Sequence, residues 1–295
     1  MRRRRIGHGT VEERLKLLVE AVRLRELGYS YTKIGNLLCV GEDTVSSWVR
    51  GERPKRISSY NPDLSPSPNL AYLVGFYLGD GRSAGSEKKV RFKLADRLQL
   101  EYVNTIVAGI LKRAPKPIRL EGPFYAVDYD SVALSDYLER PLCELMIEVD
   151  GYGNDFLQGF YDAEGYVSGL VDRSTRRVNG ISIGLANTRL EYLLTVSGLI
   201  SGYGLHGRVK RTHRAGEAMT IRGRTWVRRN AVYHLVLQGV SYARVFQNKV
   251  GFRNPGKTRK LADLITVMEM APEERYAWFT THYRKEGWKW VRMDK

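Results

Sequence analysis

The stretch Gly159–Gly165, GFYDAEG, ends an apolar, small-residue run on a carboxylate followed by glycine, and Gly75–Gly81, GFYLGDG, does the same earlier in the chain. Asp80 and Glu164 therefore hold equivalent places, 84 positions apart. The residues leading into each stretch read as a helix. Ser67 before Pro68 is an N-cap followed by a first-turn proline, and Asn154 before Asp155 reads as a cap with an acid at the positive helix end. Gly81 and Gly165 are expected to stop the helices in a left-handed conformation. Two copies of one motif at this separation indicate a duplicated unit of domain size rather than a solenoid.

Small residues give the motif its structural content. Gly75 and Gly79 lie four apart, as do Gly159 and Ala163, so one face of each helix has almost no side chain. Two such faces can pack backbone to backbone, which would set Asp80 beside Glu164 at the helix ends where the macrodipole disfavours negative charge. Like-charge repulsion adds to that cost unless a cation lies between the acids. Hard carboxylate oxygens suit Mg²⁺ or Mn²⁺.

The 295 residues carry a formal charge of +16, and 43% of them are hydrophobic, enough for a packed core. The excess charge is local. Residues 165–260 hold 18 Lys/Arg against 3 Asp/Glu and residues 1–56 hold 13 against 7, whereas residues 57–164 hold 11 against 16. A concentrated basic surface points to a polyanionic partner, and nucleic acid is the commonest. No apolar run is long enough to span a bilayer, and MRRRR is not followed by a secretory apolar segment, so a cytoplasmic protein, nucleoid-associated when acting, is expected; an organelle is not excluded. Cys39 and Cys143 form no motif and read as small core residues.

Residues 10–50 read as three short helices, capped by Thr10 and Ser30, with Gly28 and Gly51 as stops. Leu15, Leu18, Val19 and Val22 form the apolar stripe of the first, and Ile34, Leu37, Leu38, Val45 and Trp48 are expected to face inward from the others. The pattern resembles a helix-turn-helix DNA-binding module whose third helix presents Thr44, Ser46, Ser47 and Arg50 to DNA. A proline-rich linker follows, giving expected boundaries of 1–57 for this domain, 58–68 for the linker, 69–151 and 152–260 for the repeats, and 261–295 for a C-terminal helical extension bearing Trp278, Trp288 and Trp290.

After the first motif, Val90, Phe92 and Leu94 alternate with Lys89, Arg91 and Lys93, a strand with one apolar and one basic face. A helix over 96–112, strands near 116–121 and 124–129, and a helix over 131–138 complete the unit. The second unit repeats the order with strands at 166–172, 178–186, 206–214, 218–228 and 231–238 and a helix over 189–201. RVKRTHR and IRGRTWVRR are expected to form one long hairpin around Ala215 and Gly216. Candidate DNA contacts are Arg91, Lys93, Arg177, Asn179, Ser182, Arg208, Lys210, Thr212, Arg222, Arg224, Arg228, His234 and Gln238, with positioning and base-reading roles not separable in the sequence. The acids of the first unit, Asp128, Asp130 and Asp136 among them, are expected on its helical side, or else the grip on DNA is one-sided.

The paired motifs resemble those of the LAGLIDADG homing endonucleases, in the form that carries two motifs in one monomeric chain; the likeness covers about residues 69–260. It implies an α+β fold of tandem αββαββα repeats, related by a pseudo-two-fold, whose strands make a saddle over double-stranded DNA. It also implies that Asp80 and Glu164 are catalytic metal ligands, joined by the carbonyls of Gly79 and Ala163, in metal-dependent hydrolysis that makes a double-strand break at a long asymmetric target during intron or intein homing. A basic side chain assists in that family; Arg82, Lys93 and Lys257 are the candidates. The alternative is a protein of the same fold that binds DNA or RNA without cutting, an intron maturase or a transcription regulator. Retention of both acids favours cleavage.

Overall fold

The computed structural model describes residues 11–51, 62–83, 88–221, 224–287 and 289–293. Thr10, Arg222, Trp288 and residues 58–61 of the expected linker lie outside them. The N-terminal region contains α1 (Val11–Glu26), α2 (Tyr31–Leu38) and α3 (Glu42–Val49). Ser30 caps α2 by accepting the Lys33 amide, and Gly28 adopts a φ of +84° after α1. Gly35 lets the α2–α3 turn close, since a Cβ there would lie 2.8 Å from the Val40 carbonyl oxygen. Ala21, Leu24, Ile34, Val45 and Trp48 form a separate small core, with Leu17, Leu18 and Leu38 at its edge. The expected stripe is thereby corrected: Leu15, Val19 and Leu37 are exposed. The inward face of α1 passes through 17, 21 and 24, because a stripe chosen on apolar character alone also collected solvent-facing residues.

The first repeat runs α4 (Pro68–Asp80), β1 (Gly81–Ser83), β2 (Lys89–Leu94), α5 (Arg97–Ile110), β3 (Arg119–Glu121), β4 (Phe124–Asp130) and α6 (Val132–Leu138), followed by α7 (Leu142–Glu148). The second runs α8 (Gly153–Glu164), β5 (Gly165–Asp172), β6 (Arg177–Asn187), α9 (Leu190–Ser201), β7 (Arg208–His213), β8 (Ala218–Ile221), β9 (Arg224–Val227), β10 (Val232–Gln238) and α10 (Val240–Lys249). Each forms a four-stranded antiparallel sheet, in the orders β1-β2-β4-β3 and β5-β6-β10-β7. Setting aside the β8–β9 hairpin, these are the same order, so the fold is α+β with an αββαββα unit used twice.

The long hairpin expected from residues 206–228 is not formed. β7 pairs with β10, while β8 folds back on β9 with Ala218 opposite Val227 and Ile221 opposite Arg224. No element boundary within 218–228 is marked by a change of hydrophobic period, so the sequence does not show that its two halves pair with each other.

The chain continues through α11 (Pro255–Glu269), α12 (Pro272–His282) and the hairpin β11 (Tyr283–Glu286) and β12 (Lys289–Arg292). The expected 260/261 boundary falls inside α11, which Asn254 caps and Pro255 opens. Leu261, Leu264, Phe279 and Tyr283 join the main core shared by both repeats, and Trp290 packs edge-on against Phe279. Contrary to expectation, Cys39 and Cys143 are exposed. No helix among the described residues is long and apolar enough to cross a membrane.

Candidate active site

The site is built on the packing of α4 against α8. A Cβ on Gly75 would fall on the Phe156 carbonyl oxygen, and a Cβ on Gly159 would fall on the Tyr72 carbonyl oxygen. The relation is reciprocal, each helix using its glycine to admit the other's backbone. One turn further on, a Cβ on Gly79 would lie 2.5 Å from the Ala163 Cβ and 2.8 Å from Glu164 Cγ. The two helices thus end side by side, Asp80 closing α4 and Glu164 closing α8.

Two local expectations are revised. Gly81 and Gly165 are extended, at φ −79° and −80°, not left-handed. Glycine is required there for space: a Cβ would strike the Tyr77 ring at Gly81 and the Tyr161 carbonyl at Gly165. Each helix therefore runs directly into its first strand. Asn154 is likewise inside α8 rather than its cap, which is Tyr152.

Burial raises the carboxyl of Asp80 to about 6, opposed by the charges of Lys257 and Arg82. Glu164 is raised further, to about 8, by burial and then by the neighbouring Asp80. Asn187, at the end of β6, donates its amide Nδ2 to Glu164 Oε1 at 3.0 Å. The ammonium of Lys257, in the first turn of α11, donates to the carbonyls of Tyr161 (3.0 Å) and Asp162 (2.5 Å). Burial lowers its pKa to about 8, against the raising influence of Asp162, Asp80 and Glu164. Lys257 is thus placed over the last-turn carbonyls of α8, that of Tyr161 also accepting the Gly165 amide, and beside the acids. Arg82 and Lys93 share a cavity of about 600 Å³ with Asp80, Gly79, Ser83, Arg91 and Phe124, while Glu164 and Asn187 open onto a larger groove with Arg82, Cys143 and Arg189.

A third acid of the motif, Asp162, has a role that the sequence reading missed. Buried to 3% exposure, it accepts the Tyr72 hydroxyl at 2.7 Å and the backbone amides of Arg253 and Asn254 at 3.1 Å each. Gln99 Nε2 donates to the same Tyr72 hydroxyl, Asn254 Nδ2 donates to Asp96, and Arg253 pairs with Asp155. The network ties α4, α5 and α8 to the start of α11, and so fixes Lys257. Its signal was the mismatch between the copies, Asp162 against Leu78.

Among the described residues no group of three or more His, Cys, Asp or Glu is arranged to hold a metal. The donor set at the helix ends nevertheless fits a hard divalent cation: two carboxylates whose charged forms Lys257, Arg82 and Asn187 offset only in part, so that both pKa values stay raised, preceded by Gly79 and Ala163, whose carbonyls have no further helical turn ahead of them.

The candidate DNA contacts divide. On β6, β7 and β10, Ser182 lies opposite Gln238, and His234 and Val236 lie opposite Lys210 and Arg208, so these residues share the face turned away from the core residues Ile183, Leu185, Leu235 and Leu237. Arg208, Lys210 and Gln238 are exposed, as are Arg177 and Asn179 beyond a bulge in β5. Ser182 is an exception at 5% exposure, covered where Tyr166 reaches it. Thr212 donates to the Val232 carbonyl, and Arg228, half-buried, bonds through its backbone to Gly216 and Glu217. Arg224 lies on β9. In the N-terminal bundle Thr44 and Arg50 are exposed, and Ser46 and Ser47 half-exposed. The first sheet differs: Arg91 pairs with Glu121 and Asp128, and Lys93 with Glu121. Asp128 is directly opposite Arg91, and directly opposed residues share a face, so this acid is not on the helical side as expected.

Paired αββαββα units meeting at two glycine-contacted helices that end on acids define the class. Residues 153–251 match the family model of the LAGLIDADG-like domain, and the chain carries that domain, with the same element and strand order in its first repeat. An uncharacterized protein of Methanocaldococcus jannaschii is 25% identical over 273 residues, covering 87% of this chain and 96% of that protein. The glutamine–fructose-6-phosphate aminotransferase (isomerizing) of the same organism is 22% identical over 218 residues, 70% of this chain but only 18% of that protein's length. Among solved structures, I-DmoI in complex with DNA and Ca is similar at 17% identity with a TM-score of 0.46, over 68% of this chain and 98% of that one.

Proposed function

We propose that the protein is a site-specific DNA endonuclease that makes a double-strand break at a long asymmetric target by metal-dependent phosphodiester hydrolysis. The observation that carries this reading is the placement of Asp80 and Glu164 side by side at adjoining helix ends, where nothing in the fold itself requires two half-buried acids. Asp80, Glu164 and the carbonyls of Gly79 and Ala163 would hold Mg²⁺ or Mn²⁺, which supplies activation of water and stabilisation of phosphate and leaving-group charge. Asn187 fixes the orientation of Glu164. Lys257 offsets the charge of the acids and of the α8 terminus, and is the best placed of the three basic candidates because the Asp162 network holds its helix start in position. Arg177, Asn179, Arg208, Lys210 and Gln238 present a basic and polar face to the duplex, and the helix-turn-helix module of residues 11–51 adds contacts through Thr44, Ser46, Ser47 and Arg50.

Similarity to a stretch amounting to 18% of an aminotransferase chain also suits a module carried in frame within a host protein, as intein homing requires. The test is a supercoiled plasmid carrying the uninterrupted host-gene sequence, incubated with the full chain and Mg²⁺. Linearisation that is lost in Asp80→Asn and Glu164→Gln, with DNA binding retained, is the expected result. Binding by the intact chain without cutting would replace this reading with the non-cleaving one.

A further inference from the structure

The two sheets share a strand order and differ in how the charges on their outer faces are satisfied. On the first, the acids of β3 and β4 sit among the bases of β2. Glu121 engages both Arg91 and Lys93, and Asp128 engages Arg91 from the directly opposed position and Arg119 from the neighbouring strand. Asp128 and Glu121 are only 19% and 29% exposed at their side chains, against 33% for Arg91 and 41% for Lys93, so the acids are withdrawn from solvent more than the bases that cover them. On the second sheet the residues opposite Arg208 and Lys210 are Val236 and His234, and among the described residues no acid pairs with either cation.

We infer that the protein grips duplex DNA unequally: the second sheet neutralises phosphates, whereas Arg91 and Lys93 of the first, which with Arg119 share the carboxylates of Glu121 and Asp128, are already paired within the protein and displace fewer counterions on binding. The inference rests on the DNA-binding reading proposed above. Its physical basis is that an arginine leaving a carboxylate for a phosphate strands that carboxylate beside a polyanion. The exchange then yields little net attraction. An unpaired cation facing a phosphate contributes about one unit to the dependence of log K on log salt.

The experiment measures anisotropy of a fluorescein-labelled mixed-sequence duplex with the full chain, without divalent metal, from about 50 to about 200 mM KCl. Arg208→Ala/Lys210→Ala should lower the slope by about 2, and Arg91→Ala/Lys93→Ala by well under 1. Glu121→Gln/Asp128→Asn should steepen it and tighten binding at the lowest salt. Circular dichroism melts confirm that each variant is folded; if the Arg91/Lys93 variant is not, the Glu121/Asp128 variant decides alone. Equal slope losses from the two basic pairs, or a folded Glu121/Asp128 variant with an unchanged slope, would overturn the inference. A wild-type chain that binds no duplex removes the DNA reading and this inference together, whereas binding without plasmid cleavage leaves the inference standing.

Discussion

At the scale of single residues, Asp80 and Glu164 make the protein less stable than it would be without their charges. Their native carboxyls, raised to about 6 and about 8, hold protons that an unfolded chain releases near 3.8 and 4.5. Where the folded state binds more protons, stability falls as pH rises. The contribution of these groups is therefore full below about pH 4 and lost by about pH 8, where Lys257, lowered to about 8, begins to lose its own charge; a lowered lysine acts with the opposite sign, its cost to the folded state fading as pH rises from about 8 towards its unfolded value. Metal-free thermal melts should show Tm declining across pH 4–8. Glu164→Gln should flatten most of that decline and stabilise the protein at pH 8 by on the order of 1–3 kcal/mol. Mg²⁺ should raise the Tm of the wild type at pH 8 and have much less effect on the variant. Burial raises the Asp162 carboxyl too, but its hydrogen bonds serve the native fold: Asp162→Ala leaves the Tyr72 hydroxyl and the Arg253 and Asn254 amides without this acceptor and should cost about 3 kcal/mol in denaturant unfolding. The sequence marked Asp80 and Glu164 by repetition, and gave no repeated sign for Asp162 or Asn187, whose partners lie 92 and 23 residues away.

At the scale of elements, the α4–α8 contact tolerates nothing larger than hydrogen at two points. Gly75→Ala and Gly159→Ala each place a methyl group against a helix carbonyl and should destabilise by about 3 kcal/mol or more, read from chemical denaturation. Gly198→Ala in α9 meets no atom within 4 Å and should instead stabilise by about 0.5–1 kcal/mol through helix propensity. The contrast separates close approach from the general helix cost of glycine. Elements with a strong period were legible: β2, β4, α5, α6 and α9 lie within a few residues of expectation. What periodicity cannot carry is partnership. β7 and the 218–228 segment both alternate, and only the three-dimensional position of β10 decides that β7 pairs with it. The same limit hid Asp128 opposite Arg91, since cross-strand register is set by the fold and not by local spacing.

At the scale of the whole molecule the described residues form two cores. The larger runs through both repeats and continues into α11, α12 and the final hairpin, and the smaller is confined to α1–α3. Deleting residues 1–61 should therefore leave the calorimetric transition of the remainder within a few degrees while weakening its affinity for DNA. Phe279→Ala, by contrast, removes a ring buried against Tyr283 and Trp290 and should cost about 3–5 kcal/mol, although it lies far in sequence from either motif. The repeat pair was evident from the sequence because each copy carries its own motif. The C-terminal tail was legible as a helix packed on the body through its tryptophans, whereas its final hairpin β11–β12 was not, since those short strands show no period that marks them in sequence. The reciprocal glycine contact has an engineering consequence. The backbone approach that holds the acids involves none of the outward side chains of β6, β7 and β10, so Arg208, Lys210, Gln238 and their neighbours can be varied as a recombinable surface over an invariant hinge. Libraries built on that face should stay folded at far higher frequency than libraries that touch Gly75 or Gly159.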